Sequence, residues 1–575
     1  MPVSDWIVRD VNPGAADEIG RGLGVSPLLA NILAARGFTS TAESRNFLTP
    51  RLKNLPDPLH IFGMAEGAAR IAQGVLSGER IWIYSDFDVD GVTCAALLKI
   101  FFDNIGADSE TWLPRRDRDG YGLHVDPLRN IAAQGGGLVI TTDCGISAFA
   151  EAAEAKRLGL DLVITDHHTP GDSLPECVAV VNPRITGSRY PDSMIAGVGV
   201  AWNLAVAVKN ELKRLGWFDG EIKEPDMREY LDLVALGTVA DLVPLKGVNR
   251  ILVSAGLGII NRSPRPGVSA LAEIAMLRSE IRAGHLAFQL GPRINAAGRM
   301  DSPDHALHLL LADTMEESRP LAQLLDDFNR ARRAEENETY HKALNAARQM
   351  SLIPDKSAIV VEGEGFHQGV IGIVASRLVE RFNRPAVVIS IDGDQAKGSA
   401  RSAAGLDLYE LLVECKDTLV QFGGHKGAAG VTIQTRRIGE FREAFEAAVD
   451  RAIAGGEQER RIYVDALATV SDLTLPFMAE VARMEPFGAE NPTPLLMLKG
   501  VVGDELRYLG DKSQHMRLRL ESGGRSIEGI LWERAKDVEP FRPGAPIDVV
   551  GSPRTRHYGG RTYVQFQIKD LRTSD

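Results

Sequence analysis

Short apolar, β-branched runs in this chain end repeatedly in carboxylates or imidazoles. Ile81-Trp82-Ile83-Tyr84-Ser85 leads into Asp86-Phe87-Asp88-Val89-Asp90-Gly91, and Leu138-Val139-Ile140-Thr141-Thr142 into Asp143-Cys144-Gly145. Leu162-Val163-Ile164-Thr165 leads into Asp166-His167-His168, and Val234 to Ala240 into Asp241. Each run reads as a buried strand. Alternation with helical patterns up to about Ile260 predicts stacked βαβ units and a doubly wound parallel sheet. Ligands of such a sheet bind beyond the carboxyl ends of its strands, so these side chains are expected to converge on one cleft. Burying so many charges is costly unless cations offset them. Together the clusters describe a two-metal, phosphodiester-cleaving site.

With 575 residues the chain exceeds what one core serves, and about three or four domains are expected. Residues 1–60 mix short helical patterns with turns and read as an N-terminal appendage to the α/β region after them. Residues 61–314 form the α/β catalytic region, opening on a helical pattern from Gly63 to Leu76. Residues 315–350 form a connecting helix, with no Pro or Gly from Leu321 to Met350. Its charge run, Asn329 to Glu336, reads as a solvated face. Residues 351–455 form a second α/β unit, with strands at Ala358–Val361 and Ala386–Ser390. Past Gly455-Gly456, residues 456–575 hold five short candidate strands (Leu495–Val502, His515–Leu520, Ser526–Trp532, Ile547–Gly551, Thr562–Ile568). Five strands predict a small barrel of the oligonucleotide-binding type, with an SH3-like barrel or a sandwich as alternatives. The basic, aromatic stretch Pro553 to Tyr563 lies at a predicted hairpin tip, where charge and stacking suit a single strand.

The net charge of -12 is unlike the basic footprint usual in nucleic-acid binders. Carboxylates that hold metals contribute to that count, however, and a channel needs only local positive charge. The four cysteines, Cys94, Cys144, Cys177 and Cys415, are scattered, which favours a reducing cytosol and argues against a zinc knuckle. The start lacks a basic region followed by an apolar core, so no secretory signal is expected. Met194 to Val208, the longest apolar candidate, reads as a buried helix and not a membrane span. Gly135-Gly136-Gly137 precedes its strand and reads as a turn, since phosphate loops follow one.

Asp86, Asp88 and Asp90 also resemble a calcium loop, but the twelfth position holds Leu97 where a bidentate Glu is required. They sit at a strand end instead, where Gly91 lets the chain turn into a helix. Asp143 is the choice for a carboxylate bridging two ions. Adjacent His167 and His168 point apart, one toward metal and the other toward substrate or the second ion. Asp241 completes the set.

These motifs together resemble the DHH phosphoesterase superfamily, named for the triplet Asp166-His167-His168, and within it the bacterial single-strand-specific 5′→3′ DNA exonucleases. The resemblance extends through Gly237 to Leu245, Pro292-Arg293-Ile294-Asn295-Ala296-Ala297-Gly298-Arg299, Gly369 to Leu378, Gly398-Ser399-Ala400-Arg401-Ser402, Phe422-Gly423-Gly424-His425 and Glu485-Pro486-Phe487-Gly488. It implies a DHH catalytic domain, a long helix, a DHHA1 substrate-binding domain and an oligonucleotide-binding (OB) barrel. By motif, Asp88, Asp90, Asp143, His167 and Asp241 are expected to hold metal, with Asp143 bridging. His168 is expected to ligate or to contact the scissile phosphate, Asp86 to act from behind the ligands, and Arg299 to serve catalysis. Tyr84 stands where pyrophosphatase relatives carry a His, and Ser85 where exonuclease relatives often carry Gly.

Oxygen-rich ligation with one or two imidazoles suits Mn²⁺ or Mg²⁺, and two such ions are expected. Arg293, Arg299, Arg377 and Arg401, flanked by Asn295, Ser376, Ser399 and Ser402, suit fork contacts with phosphate. Gly423 and Gly424, before His425, let backbone amides approach it. The activity implied is degradation of single-stranded DNA to mononucleotides, in recombinational, mismatch and base-excision repair. The implied setting is a cytoplasmic monomer that meets single-strand-binding protein and a helicase. The rivals are a phosphodiesterase for pyrophosphate or small nucleotides, which needs neither the barrel nor the length, and a non-catalytic binding protein, which does not need the filled ligand positions.

Overall fold

The computed structural model describes residues 5–116, 118–350, 356–403, 405–453, 461–511, 513–535, 538 and 541–574. The Gly455-Gly456 junction and Met1–Ser4, within the start read as lacking a secretory signal, lie outside them. The chain divides into two units, Pro56–Asp241 with Gly256–Gln458, and Met1–Leu55 with Leu242–Ala255 and Glu459–Asp575.

In the first unit, β1 (Ile81–Ser85), β2 (Ser109–Trp112), β3 (Leu138–Thr142), β4 (Asp161–Thr165) and β5 (Ala179–Val181) form one sheet in the order β2-β1-β3-β4-β5. All its pairings are parallel. β1 and β3 are buried throughout, which explains their unbroken apolar pattern. Strand order reverses between β1 and β3, the switch point where an open sheet leaves a crevice. The Asp86–Asp90 cluster and Asp143 follow these two strands, so topology alone brings both to one crevice.

The predicted fourth strand is corrected by the structure. Its residues belong to α3 (Leu231–Ala240), which packs with α1 (Val89–Asn104) and α2 (Gly197–Arg214). Nine of its ten residues are buried, leaving no amphipathic period to separate a buried helix from a buried strand. Met194 to Val208 falls largely within α2, as expected for a buried helix.

After α4 (Gly291–Met300) comes the long α5 (Met315–Gln349), whose single Pro320 lies near its start. Its charge run is not simply solvated, because Asn329 and Arg332 are buried. The second α/β region pairs β6 (Ile359–Glu364), β7 (Ala386–Asp392), β8 (Gln395–Arg401), β9 (Gln421–His425) and β10 (Ala428–Gln434) in the order β9-β10-β8-β7-β6. Only the β6–β7 pairing is parallel, and α6 (Ile371–Phe382) packs on β7 and β8.

In the other unit, β11 (Leu496–Leu509), β12 (His515–Ser522), β13 (Arg525–Leu531), β14 (Pro546–Tyr558) and β15 (Arg561–Thr573) match the five strands expected. Pairing of β11 with β14 closes them into a barrel. Closure removes the free edges of the sheet. The barrel core continues into Ala15, Ile19, Leu29, Ile32, Leu33 and Leu48 from helices Pro13–Leu23, Pro27–Ala35 and Thr41–Leu48. The segment read as an appendage to the catalytic region thus shares a core with the barrel. Among the described residues, no helix is long and apolar enough to cross a membrane.

Candidate active site

The ends of β1 and β3 are tied by hydroxyls. Thr142 Oγ1 donates to Ser85 Oγ at 2.6 Å, and Ser85 Oγ donates to the Gly91 carbonyl at 2.6 Å. Ser85 therefore braces the turn that carries the aspartates. A Cβ on Gly91 would lie 2.3 Å from the Asp86 carbonyl, so only glycine allows this turn. Asp88 caps α1, its Oδ1 accepting from the Asp90 and Gly91 amides at 2.9 and 3.2 Å. Asp90 points into the start of α2 and accepts from the Gly197 and Val198 amides at 2.7 and 2.9 Å. Asp143 has φ 59°, a left-handed conformation uncommon for a residue with a Cβ. Such strain is retained where the surrounding structure over-determines it. α2 and α3 approach through glycine backbone: a Cβ on Gly197 would lie 2.9 Å from Asp143 Oδ1, and one on Gly237 2.8 Å from Asp90 Oδ1.

Around this frame, His167 Nε2 lies 3.1 Å from Asp143 Oδ1, 3.7 Å from Asp241 Oδ2 and 4.0 Å from Asp90 Oδ2. Three overlapping groups offer ligand atoms within 4.8 Å of one another: Asp86, Asp88 and Asp143; Asp90, His167 and Asp241; and Asp143, His167 and His168. Asp86 Oδ1, Asp143 Oδ1, Asp241 Oδ2 and both His167 ring nitrogens are buried without any hydrogen-bond partner. Orphaned oxygen and imidazole atoms facing one another are a poor hydrogen-bond network but an apt donor set for a divalent cation. His168 is positioned differently. Its Nδ1 lies 2.7 Å from Asp166 Oδ1, an oxygen that also accepts from the His167 and His168 amides.

The electrostatics have the same origin. Burial, then the neighbouring aspartates, holds the Asp86 and Asp143 carboxyls well above the usual carboxylate range. Burial and Asp88 push Asp90 up to about 7, although the α2 amides oppose this. Burial, Asp90 and Asp88 push Asp241 up to about 9. Burial and His168 hold His167 down to about 3, so its ring is neutral and able to ligate. Burial also works against charge on His168, but Asp166 outweighs it and raises the ring.

These shifts make stability depend on pH. Folded carboxyls raised above their unfolded value of about 3.9 bind more protons folded than unfolded, so stability falls as pH rises between the two values. For Asp90 and Asp241 that window runs from about pH 4 to about 7 and about 9, respectively. In chelator the melting temperature is expected to fall from pH 5 to pH 9, and the rise on adding Mn²⁺ to grow over that range as cation replaces proton. A Mn²⁺-induced rise independent of pH, read by scanning calorimetry, would contradict this.

Beside the carboxylates lies a cavity of about 720 Å³. Phe87, Arg116, Tyr121 and Arg299 line it from the sheet region, and Ser399, Phe422, Gly423 and Gly430 from the second α/β region. Arg299 donates to the Gly369 carbonyl at 2.8 Å. Burial, then Arg116, Arg332 and Arg401, lowers Arg299 to about 9. Cations gathered this way are suited to an anion. Arg401 donates to Ser399 Oγ at 3.1 Å, and a Cβ on Gly372 would crowd its guanidinium. Gly424 has φ 149° and lies against the Ala428 carbonyl, while His425 Nδ1 accepts from the Gly427 amide.

Arg401, Gly424 and His425 do not line the cavity, and the other sequence candidates are engaged elsewhere, also outside it. Arg293 pairs with Asp326 at 2.9 Å, and Arg377 with Glu336 at 3.1 Å while lying over the Tyr340 ring. Asn295 accepts from the Val89 amide, Ser376 donates to the Gly372 carbonyl, and Ser402 donates to Ala403 and Leu406 carbonyls. Arg116 and Tyr121 were not singled out from sequence. Their signal was the Gly120-Tyr121-Gly122 triplet just after three arginines, Arg115, Arg116 and Arg118.

Three family models match the chain: the DHH family N-terminal domain over residues 80–238, the DHHA1 domain over 355–451 and the RecJ OB domain over 464–570. The single-stranded-DNA-specific exonuclease RecJ of Bacillus subtilis (strain 168) is 36% identical over 573 residues, 99% of this chain and 71% of that one. The exonuclease of the same name from Dickeya dadantii (strain 3937) is 35% identical, covering 95% of this chain and 96% of its own. Among solved structures, RecJ in complex with Mn²⁺ from Thermus thermophilus matches with a TM-score of 0.85 at 32% identity, over 99% of this chain and 80% of that one. Its complex with Mg²⁺ matches with a TM-score of 0.79 at 30% identity, over 99% and 79%.

Proposed function

The chain belongs to the RecJ family of single-stranded-DNA-specific exonucleases, and on that premise we propose that it degrades single strands from the 5′ end to mononucleotides. The observation that carries the chemistry is the set of buried, unpartnered atoms on Asp86, Asp143, His167 and Asp241, beside a cavity lined by arginine. Relatives solved with Mn²⁺ and with Mg²⁺ support dependence on divalent cations, and we assign two. Asp88, Asp90, Asp143, His167 and Asp241 would hold them, with Asp143 shared and Asp86 behind. When bound, such cations lower the pKa of water and neutralise charge developing on phosphate.

The chain's own groups do the rest. Asp166 holds His168 so that Nε2 faces away from it, ready to donate to a phosphate oxygen. Arg299, Arg116 and Arg401 receive phosphate oxygens, while Ser399 and the backbone at Gly423 and Gly424 allow close approach, with His425 at the rim. Residues 61–314 act as the catalytic domain and 351–455 as the substrate-binding domain, joined by the helix of 315–350. Residues 456–575 would supply further single-strand contacts, with the basic β14–β15 hairpin tip as one of them. Cytoplasmic action as a monomer in recombinational, mismatch and base-excision repair, beside single-strand-binding protein and a helicase, completes the reading.

Single-stranded DNA labelled at either end, incubated with Mn²⁺ beside duplex and RNA controls, tests it. Immediate release of labelled mononucleotide from the 5′ end is expected, with gradual shortening of the 3′-labelled strand. Turnover only of dinucleotides or pyrophosphate would defeat the reading.

A further inference from the structure

Tyr121 is placed as a reacting group would be, yet neither the cation site nor the arginine contacts make use of it. Its hydroxyl lies 3.2 Å from His168 Nδ1 and 3.4 Å from the Asp143 main-chain oxygen, and its ring stands edge-on to His168 at 5.8 Å. The side chain lines the cavity together with Phe87, Arg116 and Arg299. A ring nitrogen carries one proton at most, and at 2.7 Å Asp166 Oδ1 takes the one on His168 Nδ1. The Tyr121 hydroxyl therefore cannot donate there. The Asp143 oxygen lies beyond the usual O–H···O range of about 2.5–3.0 Å. The hydroxyl thus gives its proton only to this long contact, and a nearer acceptor in the cavity could take it over.

Its position comes from the loop instead. Gly120 and Gly122 take φ 84° and 99°, which lets the chain reverse on both sides of the aromatic ring. From beneath, the fully buried Tyr84 donates its hydroxyl to the Gly122 carbonyl at 3.0 Å, fixing the residue next to Tyr121. A half-exposed donor held by its loop, and engaged in only one long hydrogen bond, needs little reorganisation when charge appears beside it.

Resting on the exonuclease reading, we infer that Tyr121 is a further catalytic residue, its hydroxyl donating a hydrogen bond to a non-bridging oxygen of the scissile phosphate. No proton is transferred. The hydroxyl stays neutral and the bond strengthens as charge builds on phosphorus-bound oxygen.

Tyr121→Phe removes only the oxygen. With Mn²⁺ and single-stranded DNA, kcat is expected to fall about 10²-fold, with KM, DNA affinity and Mn²⁺ affinity unchanged. Sulfur is a weaker acceptor than oxygen. The penalty should therefore shrink toward unity for one phosphorothioate diastereomer at the 5′-terminal linkage and persist for the other. An unchanged kcat would overturn the inference. So would a loss equal for both diastereomers, or one accompanied by weaker Mn²⁺ binding, since either means that Tyr121 only steadies His168 or Asp143. A wild-type protein inert on single strands would sink the exonuclease reading itself, whereas an active wild type with a fully active Tyr121→Phe removes this inference alone.

Discussion

Asp143→Ala is expected to lower single-strand hydrolysis by at least about 10³-fold, several kcal/mol of lost charge stabilisation, while strand binding survives. Asp143 belongs to two of the three candidate ligand groups, so both lose a member at once. Arg299, Arg116 and Arg401, which carry the proposed phosphate contacts, do not depend on it. A merely structural aspartate would behave differently on folding. The Asp143 carboxyl is held well above its usual range by burial and by Asp90, so its charge opposes the metal-free fold near neutral pH. The Ala variant in chelator should therefore melt no lower than wild type. Activity, strand affinity and metal-free melting on one preparation decide the matter. Loss of all three together would make Asp143 a folding residue.

Arg250→Ala should cost roughly 3–5 kcal/mol of stability, the scale set by removing one partner from a buried charged network. Arg250 is 2% exposed. Its guanidinium donates to the carbonyls of Phe47, Arg483, Met484, Glu485 and Pro486 at 2.7–3.5 Å and lies 3.9 Å from the centre of the Phe47 ring. Burial lowers its pKa to about 10, which still leaves it charged at neutral pH. Truncation takes a donor from five carbonyls at once, of which Met484 and Pro486 keep Asn491 Nδ2 as donor, and each buried acceptor left unpaired costs about 1–3 kcal/mol if water cannot reach it. Arg250→Lys keeps charge but not the fork and should recover only part. Urea melts followed at 25 °C give the values, and a change under about 1 kcal/mol in Arg250→Ala would show that water replaces the side chain.

The catalytic sheet was legible because its strands are short, unbroken and apolar, and because chain order puts Asp90 and Asp143 at the same crevice. Val234 to Val239 was not, since a helix buried on every face carries the same pattern as a buried strand. The arginines show a second limit. Gly and Ser neighbours marked Arg299, which lines the cavity, but equally marked Arg401, Arg293 and Arg377, which do not; the last two meet Asp326 and Glu336, 33 and 41 residues away. Nothing local distinguishes a side chain awaiting phosphate from one already paired. Tyr121 escaped notice because its importance lies in two glycine dihedral angles and a tyrosine 37 residues earlier in the chain, not in its own neighbours.

The barrel core built from both Ala15 to Leu48 and Ala466 to Leu571 bears on how the molecule is made. At about 5–20 residues per second of synthesis, the three early helices wait roughly 20–80 s before their partners exist. During that interval Ile19, Leu29, Ile32 and Leu33 have no barrel to cover them, while the first parallel sheet, whose strands all lie within residues 81–181, can assemble as it emerges. The newborn chain is therefore most exposed to aggregation and to chaperone capture near its beginning. A translation stall or premature stop late in the message would damage a region completed long before.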